Sequence, residues 1–338
     1  MKIMGDYEDS QWSESKGRLG QGFPALTHNK QTKASRRLHM QDSEMPQARD
    51  QDQIQLSEEE ATELAQELSV QHSSGELNQA DSEQIKRMVA GLGDKRGLLR
   101  LKFAESLGQV GKTAVPALCR ALRKHENVTV RRAAAKTLTL IADPIALEDL
   151  LYALLNDPDP VVQGSAVGAM VVIGAEAVDG LLNVLSNPEN TQMQLGMASW
   201  GLSFVGAQAP ERLREAAQSP NAEVRTAAIS ALADQIQSLN DDGARNLLIA
   251  ALKDTAAEVR AEASTMLGKL DDLEWAEPLL QPLLTDQDPQ VRKNAALSLM
   301  KLEASSSIPL LKKLAESESN DSVKAVLCLA TTQLASFE

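Results

Sequence analysis

The stretch VRRAAAKTLTLIAD, from Val130 to Asp143, opens on a valine, continues into a cluster of alanines and then reaches leucines. The pattern returns every 30 to 35 residues, most clearly as VRTAAISALADQI (Val224 to Ile236), VRAEASTMLGKL (Val259 to Leu270) and VRKNAALSLMKL (Val291 to Leu302). A unit this short cannot bury its apolar face alone, so neighbouring units stack around one continuous core. The repeat therefore predicts an all-α chain, a right-handed α-solenoid of about eight two-helix units.

The repeats align on one anchor position at the start of each unit. It is filled by Leu99, Val130, Val162, Gln194, Val224, Val259, Val291 and Val323. A second helix with paired leucines follows each anchor helix, as in ALEDLLYALLND (Ala146 to Asp157). Proline and aspartate punctuate the turns, since proline does not continue a helix and aspartate caps the next one. Each unit is predicted to read helix, turn, helix, turn.

Three segments are predicted along the chain. Residues 1–55 are polar and follow neither a helical nor a strand period, which is typical of a disordered tail. Residues 56–95 are predicted to form N-terminal helices that cap the array; Ser57 and Glu60 have the spacing of a capping box, and a second helix spans about Ser82 to Leu92. Residues 96–338 are predicted to form the solenoid.

Charge and composition exclude several classes of function. The formal net charge of -13 and the pI of about 4.9 disfavour nucleic acid as a partner, because its phosphates would be repelled. No apolar run is long enough to span a bilayer, and the first residues lack the apolar core of a signal peptide. We expect a soluble, intracellular protein. The two cysteines, Cys119 and Cys328, lie many repeats apart, so neither a disulfide nor a metal site is predicted, and Cys119 is expected in the core.

Three stretches resemble HEAT repeats, and more narrowly the short HEAT-like units of the cyanobacterial phycobilisome bilin lyase group. They are DPDPVVQGSAVGAMVVIG (Asp157 to Gly174), DQDPQVRKNAALSLMKL (Asp286 to Leu302) and LRLKFAESLGQVGKTAVPAL (Leu99 to Leu118). The resemblance covers residues 80 to 335. It implies a cytoplasmic location, at the thylakoid periphery where the protein meets phycobilisomes.

The same resemblance implies three alternative functions. The first is a non-catalytic scaffold that binds a protein partner, such as a phycobiliprotein or a second HEAT-repeat subunit, during phycobilisome assembly or turnover. The second is a subunit of a bilin lyase that attaches or detaches phycocyanobilin, and the third is an adaptor for another assembly factor such as an iron–sulfur carrier. The best-known lyase subunits carry an aromatic-rich segment where this chain reads RLKFAESLG, from Arg100 to Gly108, and this departure favours the scaffold.

A basic residue follows the anchor in most units, as Arg131, Arg225, Arg260 and Arg292, with Lys324 a weaker copy. Acidic turn residues precede these arginines by about one helical turn, as Asp288 precedes Arg292. The pattern predicts a ladder of ion pairs that bridges adjacent units. Ligand binding by these arginines is the alternative.

The third and fourth units break the pattern. Between Val161 and Pro210 the only charged residues are Glu176, Asp179 and Glu189, and the usual arginine is replaced by Gln163 and Leu195. The seventh position of each unit, counted with the anchor as the first, is predicted to face the concave groove. It is Glu105 and Lys136 in the first two units, then Gly168 and Trp200. Four helical glycines, at 164, 168, 196 and 201, suggest that a large group approaches the backbone.

These residues predict the candidate site. A groove for a partner or ligand is expected to include Gln163, Met170, Met193, Met197, Trp200 and Phe204. If the ligand is a bilin, its propionates are expected to pair with Arg131, Arg132 and Lys136. No catalytic residue and no cofactor other than such a bilin is predicted. The alternative is that both units are simply better buried, with Trp200 filling space between helices.

Overall fold

The computed structural model describes residues 55–239 and 242–336. The predicted N-terminal tail, apart from its last residue, lies outside the described residues. Across the described ranges the chain forms α-helices joined by turns and short 3-10 segments, without a strand, and no helix there is long and apolar enough to cross a membrane. The α-helices are α1 Glu58–Ser74, α2 Ser82–Gly91, α3 Gly97–Val110, α4 Val115–Lys124, α5 Val128–Ile141, α6 Leu147–Asn156, α7 Pro160–Ile173, α8 Val178–Ser186, α9 Gln192–Val205, α10 Pro210–Ala216, α11 Ala222–Leu239, α12 Asp242–Ala251, α13 Ala257–Leu267, α14 Leu273–Leu280, α15 Pro289–Lys301, α16 Ile308–Ser317 and α17 Asp321–Leu334.

The helices stack as the repeat predicts. The helix that carries each anchor, here called the first helix of its unit (α3, α5, α7, α9, α11, α13, α15 and α17), packs on the first helix of the next unit. The alanine clusters lie in these contacts; Ala134, Ala135 and Ala166 are fully buried. Small side chains let neighbouring helices approach closely. Each second helix packs against the first helix of the following unit, which makes one continuous aliphatic core and confirms the α-solenoid.

The N-terminal helices continue the stack. The Ser57 hydroxyl accepts a hydrogen bond from the Glu60 N–H, and the Glu60 carboxylate accepts one from the Ser57 N–H at 2.7 Å, so the predicted capping box is confirmed. Helix α2 ends at Gly91, one residue before the predicted end. Because α1 packs on α3 and α2 packs on α4, this pair extends the two helical layers of the array.

The predicted arginine ladder is present, but with different acids. Arg260 donates from Nε and Nη2 to the Asp286 carboxylate of the next unit at 2.8 and 2.7 Å, and from Nη1 to two carbonyls of its own turn. The same arrangement joins Arg131 to Asp157, Arg225 to Asp254 and Arg292 to Glu318. Asp288, expected to pair with Arg292, instead caps α15 by accepting the N–H groups of Gln290 and Val291. The correction follows from reach, because the guanidinium extends to the following unit while the nearer carboxylate is held at the helix N-terminus.

Cys119 confirms the core prediction. It is buried in α4, and this burial raises the pKa of its thiol to about 12. Cys328 is exposed on α17. A thiol held protonated in an apolar environment is a poor nucleophile, so Cys119 contributes packing rather than chemistry.

Candidate functional site

Helix α9 presents three large apolar side chains to solvent. Met193, Trp200 and Phe204 are 56%, 50% and 52% exposed, and the rings of Trp200 and Phe204 lie 4.9 Å apart at an interplanar angle of 58°. The residues follow one another at helical spacing, so they line a single face. The alternative that Trp200 fills space between helices is therefore wrong.

Helix α7 carries the matching stripe of the preceding unit. Val161 and Val172 are exposed at its two ends, and Gly164 and Gly168 lie between them. A Cβ built on Gly164, Gly168 or Gly196 would meet no neighbouring atom within 4 Å. The exposed face of α7 and α9, here called the apolar patch, consists of Val161, Gly164, Gly168, Val172, Met193, Gly196, Trp200 and Phe204. Steps of three, four and four residues relate the members on each helix, and this repetition was the signal by which Val161 and Val172 could have been predicted.

Three predicted groove residues lie elsewhere or are only partly accessible. Met170 is fully buried, so the prediction that it contacts a partner is wrong. It stands eight residues after its anchor, as Leu138 does in α5, and that position faces the core. Met197 is half-buried against the core. Gln163 is also half-buried, and its amide donates to the Asp157 carbonyl at 2.8 Å.

One of the four glycines has a packing explanation. A Cβ on Gly201 would lie 2.7 Å from Cγ1 of Val167 and 3.3 Å from Cδ1 of Leu181. Gly201 therefore permits close contact between α9 and the α7–α8 pair. The expectation that it admits an external group is corrected, and the open positions are 164, 168 and 196.

The residues predicted to bind propionates are mostly engaged within the chain. Arg131 is bound to Asp157, and Arg132 donates from Nε to Asp159 at 2.9 Å; this bidentate contact lowers the pKa of Asp159 to about 2. Arg131 is thus unavailable to a ligand. Lys136 is exposed, and among the described residues it has no ion-pair partner. With Arg132 paired to Asp159, Lys136 is the cation available to a ligand on the α5 side of the patch.

The arginine ladder is interrupted beside the patch. The ladder acids Asp157 and Asp254 each accept a hydrogen bond from the N–H two residues ahead, and Asn187 and Ser219 do the same in the patch units. These are therefore the equivalent positions, and they carry no charge. Gln163 and Leu195 replace the arginines there, so both partners of the ion pair are absent at two successive junctions.

Gln194, which replaces valine at the fourth anchor, has a structural role. Its side chain accepts a hydrogen bond from the Thr191 N–H at 2.8 Å and completes a capping box at the start of α9. Its amide also donates to the Leu155 carbonyl of α6 at 2.9 Å. This buried glutamine fixes the N-terminus of α9 against α6, and thereby orients the face that carries Trp200.

Comparisons with known proteins bear on this site. The family model of HEAT repeats matches residues 85–171 and 244–330, about half of the chain, and leaves out α8 to α11. A bilin biosynthesis protein, MpeU, of Synechococcus sp. strain WH8020 is 48% identical over 279 residues, which cover 82% of this chain and 94% of the relative. An uncharacterized phycocyanin operon protein Z of Pseudanabaena tenuis is 34% identical over 164 residues, covering 45% of this chain and 81% of that protein. Among solved structures, the CpcE–CpcF complex of phycocyanin lyase from Nostoc aligns with 74% of this chain and 94% of the matched chain, at 19% identity and a TM-score of 0.29.

Proposed function

This chain belongs to the HEAT-repeat family, in the group of phycobilisome lyase-type proteins, and from this premise we propose that it binds a phycobiliprotein on the apolar patch during phycobilisome assembly or turnover. The half-exposed pair of Trp200 and Phe204 is the observation that carries the proposal. Aromatic side chains at the centre of an interface supply much of its binding energy. Contiguous exposed apolar surface on a soluble protein marks an interaction site.

The identity of the partner is supported by the relatives. A protein 48% identical to this chain over almost its full length is named for bilin biosynthesis, and another relative is named for the phycocyanin operon. Phycobiliproteins are the proteins that carry bilins. A phycobiliprotein is accordingly the partner class that we propose for the patch.

Binding of purified phycobiliprotein subunits, with and without bilin, tests this function. We expect the wild-type chain to retain a subunit in size-exclusion chromatography and titration calorimetry, and the variant Trp200→Ala/Phe204→Ala to lose at least about tenfold in affinity. Leu329→Ala is the matched control, because Leu329, like Trp200, stands six residues after its anchor and is 52% exposed, but lies on α17. Absence of binding by the wild type, or equal affinity of the double variant, would contradict the proposal.

A second candidate is a subunit of a bilin lyase, which the name of the 48% identical relative favours. In that case the patch would hold the conjugated rings of the bilin, and Lys136 would pair with a propionate. Mixing the protein with phycocyanobilin would shift and sharpen its visible absorption band. Co-expression with an apo-phycobiliprotein and a bilin source would then yield covalently attached bilin, seen as zinc-enhanced fluorescence on a denaturing gel. No spectral shift and no covalent product would remove the lyase candidate and leave the scaffold.

A further inference from the structure

We propose that α7 is the floor of a groove that receives one α-helix of the partner, apolar on its inner face and carrying carboxylates along the edge nearer to α5. The proposal rests on the proposed function, since it specifies how a protein partner occupies the apolar patch. It specifies that the bound segment is helical and that its negative charges lie on the side of α5, neither of which follows from the patch being apolar.

The exposed middle of α7 lies lower than the helices on either side of it. Gly164 and Gly168 remove the side chains from the exposed middle of α7, and open space lies where their Cβ atoms would be. The equivalent positions of the next first helix are Gly196 and Trp200, and those of the preceding one are Arg132 and Lys136. A low strip on α7 is thus bordered by long side chains of α5 and by the aromatic pair of α9.

The size and backbone chemistry of the strip suit a helix. From Val161 to Val172 it extends for about 16 Å along α7, a length that matches a helix of about three turns. The backbone N–H and C=O groups of α7 are hydrogen-bonded within the helix, so they are not available to pair with the backbone of an extended peptide. A partner helix satisfies its own backbone hydrogen bonds and can approach closely where side chains are small.

The two borders of the strip differ in charge. From residue 137 to residue 211 the sequence contains neither lysine nor arginine. On the α5 border Arg132 is paired with Asp159, whereas Lys136 is exposed and has no ion-pair partner among the described residues, so Lys136 is the cation available there. On the opposite border α11 presents Glu223, which is exposed. Carboxylates on the partner are favoured beside Lys136 and disfavoured beside Glu223, and this asymmetry sets the orientation of the bound helix.

Two synthetic helical peptides test the groove without a phycobiliprotein. Both carry the same leucine face; one has glutamates along one edge and the other has lysines there. In a Trp12→Phe/Trp275→Phe background, which leaves Trp200 as the reporter, we expect the glutamate peptide to shift the emission to the blue and the lysine peptide to bind about tenfold more weakly. Lys136→Glu is expected to reverse this preference.

Filling the floor gives the second test. Gly168→Leu places a side chain in open space, so it should preserve the fold, as shown by an unchanged or higher melting temperature, while weakening the glutamate peptide at least about tenfold. Thr265→Leu, at the same position of α13 and outside the patch, is the control and should bind like the wild type. Undiminished binding to Gly168→Leu, equal binding of both peptides, or no binding of either peptide would overturn the groove.

A phycobiliprotein subunit separates this inference from the proposed function. If the subunit binds the wild type and Gly168→Leu equally, the groove is wrong and the proposed function stands. If the peptides behave as expected while no phycobiliprotein subunit binds, the proposed function fails and the groove stands with a different protein partner.

Discussion

Met170 and Trp200 show how a single residue's position decides between core and surface. Both were predicted as contacts of one groove, yet Met170 is fully buried and Trp200 is half-exposed. Met170 lies eight residues after its anchor and Trp200 six after its own. Two residues rotate a side chain by about 200° around a helix, which moves it to the opposite face.

Truncating these two side chains is expected to have opposite consequences. Met170→Ala should lower the free energy of unfolding by about 2–4 kcal/mol, because it leaves a cavity in the core. Trp200→Ala should change it by no more than about 0.5 kcal/mol, as for other surface positions. Urea unfolding followed by circular dichroism measures both. A loss of similar size in the two variants would mean that Trp200 is part of the core after all.

At the scale of the helical element, the arginine ladder connects successive turns through partly buried, bidentate ion pairs. In the Arg260–Asp286 pair, for example, the side chains are 16% and 11% exposed. The junctions after α7 and α9 lack the pair, and its place is taken by Gln163 with Asn187 and by Leu195 with Ser219. Apolar packing holds both junctions instead, and the first of them is also joined by an ion pair between Arg212 on α10 and Asp179 on α8.

Restoring one ion pair of the arginine ladder is expected to stabilise the array. In Gln163→Arg/Asn187→Asp the new guanidinium should reach the new carboxylate as Arg131 reaches Asp157, with a coupling of about 1 kcal/mol in a double-mutant cycle. The reference is Arg260→Gln, which leaves Asp286 without its partner and should cost about 1–3 kcal/mol. If the effects of the two single substitutions on the free energy of unfolding are additive, the side chains at positions 163 and 187 do not interact.

The ladder also predicts a dependence of stability on pH. Hydrogen bonds from the arginines lower the pKa of Asp254, Asp286 and Glu318, and Arg132 lowers that of Asp159 to about 2. A carboxylate whose pKa is lower in the folded state stabilises the fold above its unfolded pKa of about 4, and this contribution is lost as the pH falls through the folded value. The melting temperature should therefore fall between about pH 4 and pH 2. The melting temperature of Asp286→Asn should be lower than that of the wild type at pH 7 and should fall less steeply as the pH is lowered. Parallel melting-temperature curves for the variant and the wild type would contradict this account.

At the scale of the whole array, stability is distributed along one dimension. Each unit contacts its neighbours, so local stability is approximately the sum of each unit's own terms and those of its two junctions. The units with the apolar patch lack the ladder on their C-terminal sides, whereas α13 to α16 have it at each junction. The surface proposed to bind a partner thus lies on two units whose C-terminal junctions lack the ladder, where Arg212 on α10 pairs instead with Asp179 on α8.

Hydrogen exchange followed by mass spectrometry is expected to reflect this difference. Amides of α8 to α10 should exchange faster than those of α13 to α15, because opening the patch units breaks fewer inter-unit bonds. Gln163→Arg/Asn187→Asp should slow exchange in α7 and α8 while leaving α15 unchanged. Uniform protection along the array would mean that the ladder does not control local opening.

Much of the architecture was predictable from the chain alone. The anchors recur in each unit, and alanine clusters and proline turns recur in most of them, so the two-helix repeat, the arginine ladder and the capping box at Ser57 followed from local pattern. The location of the candidate site was also visible, because charge disappears from units three and four. These features depend on residues within about one repeat of each other.

Other features depended on which side of each helix its neighbours cover, and only the tertiary structure decided them. The acid that binds each ladder arginine lies in the following unit, 26 residues ahead for Arg260 and Asp286, so the nearest acid in sequence was the wrong partner. Val167 fills the space where a Cβ of Gly201 would lie, whereas the corresponding space beside Gly164, Gly168 and Gly196 is open. Helix packing, and not composition, sets this difference. The period of this sequence determined the stack, and the packing of one unit on the next determined which of its apolar residues remain free to bind.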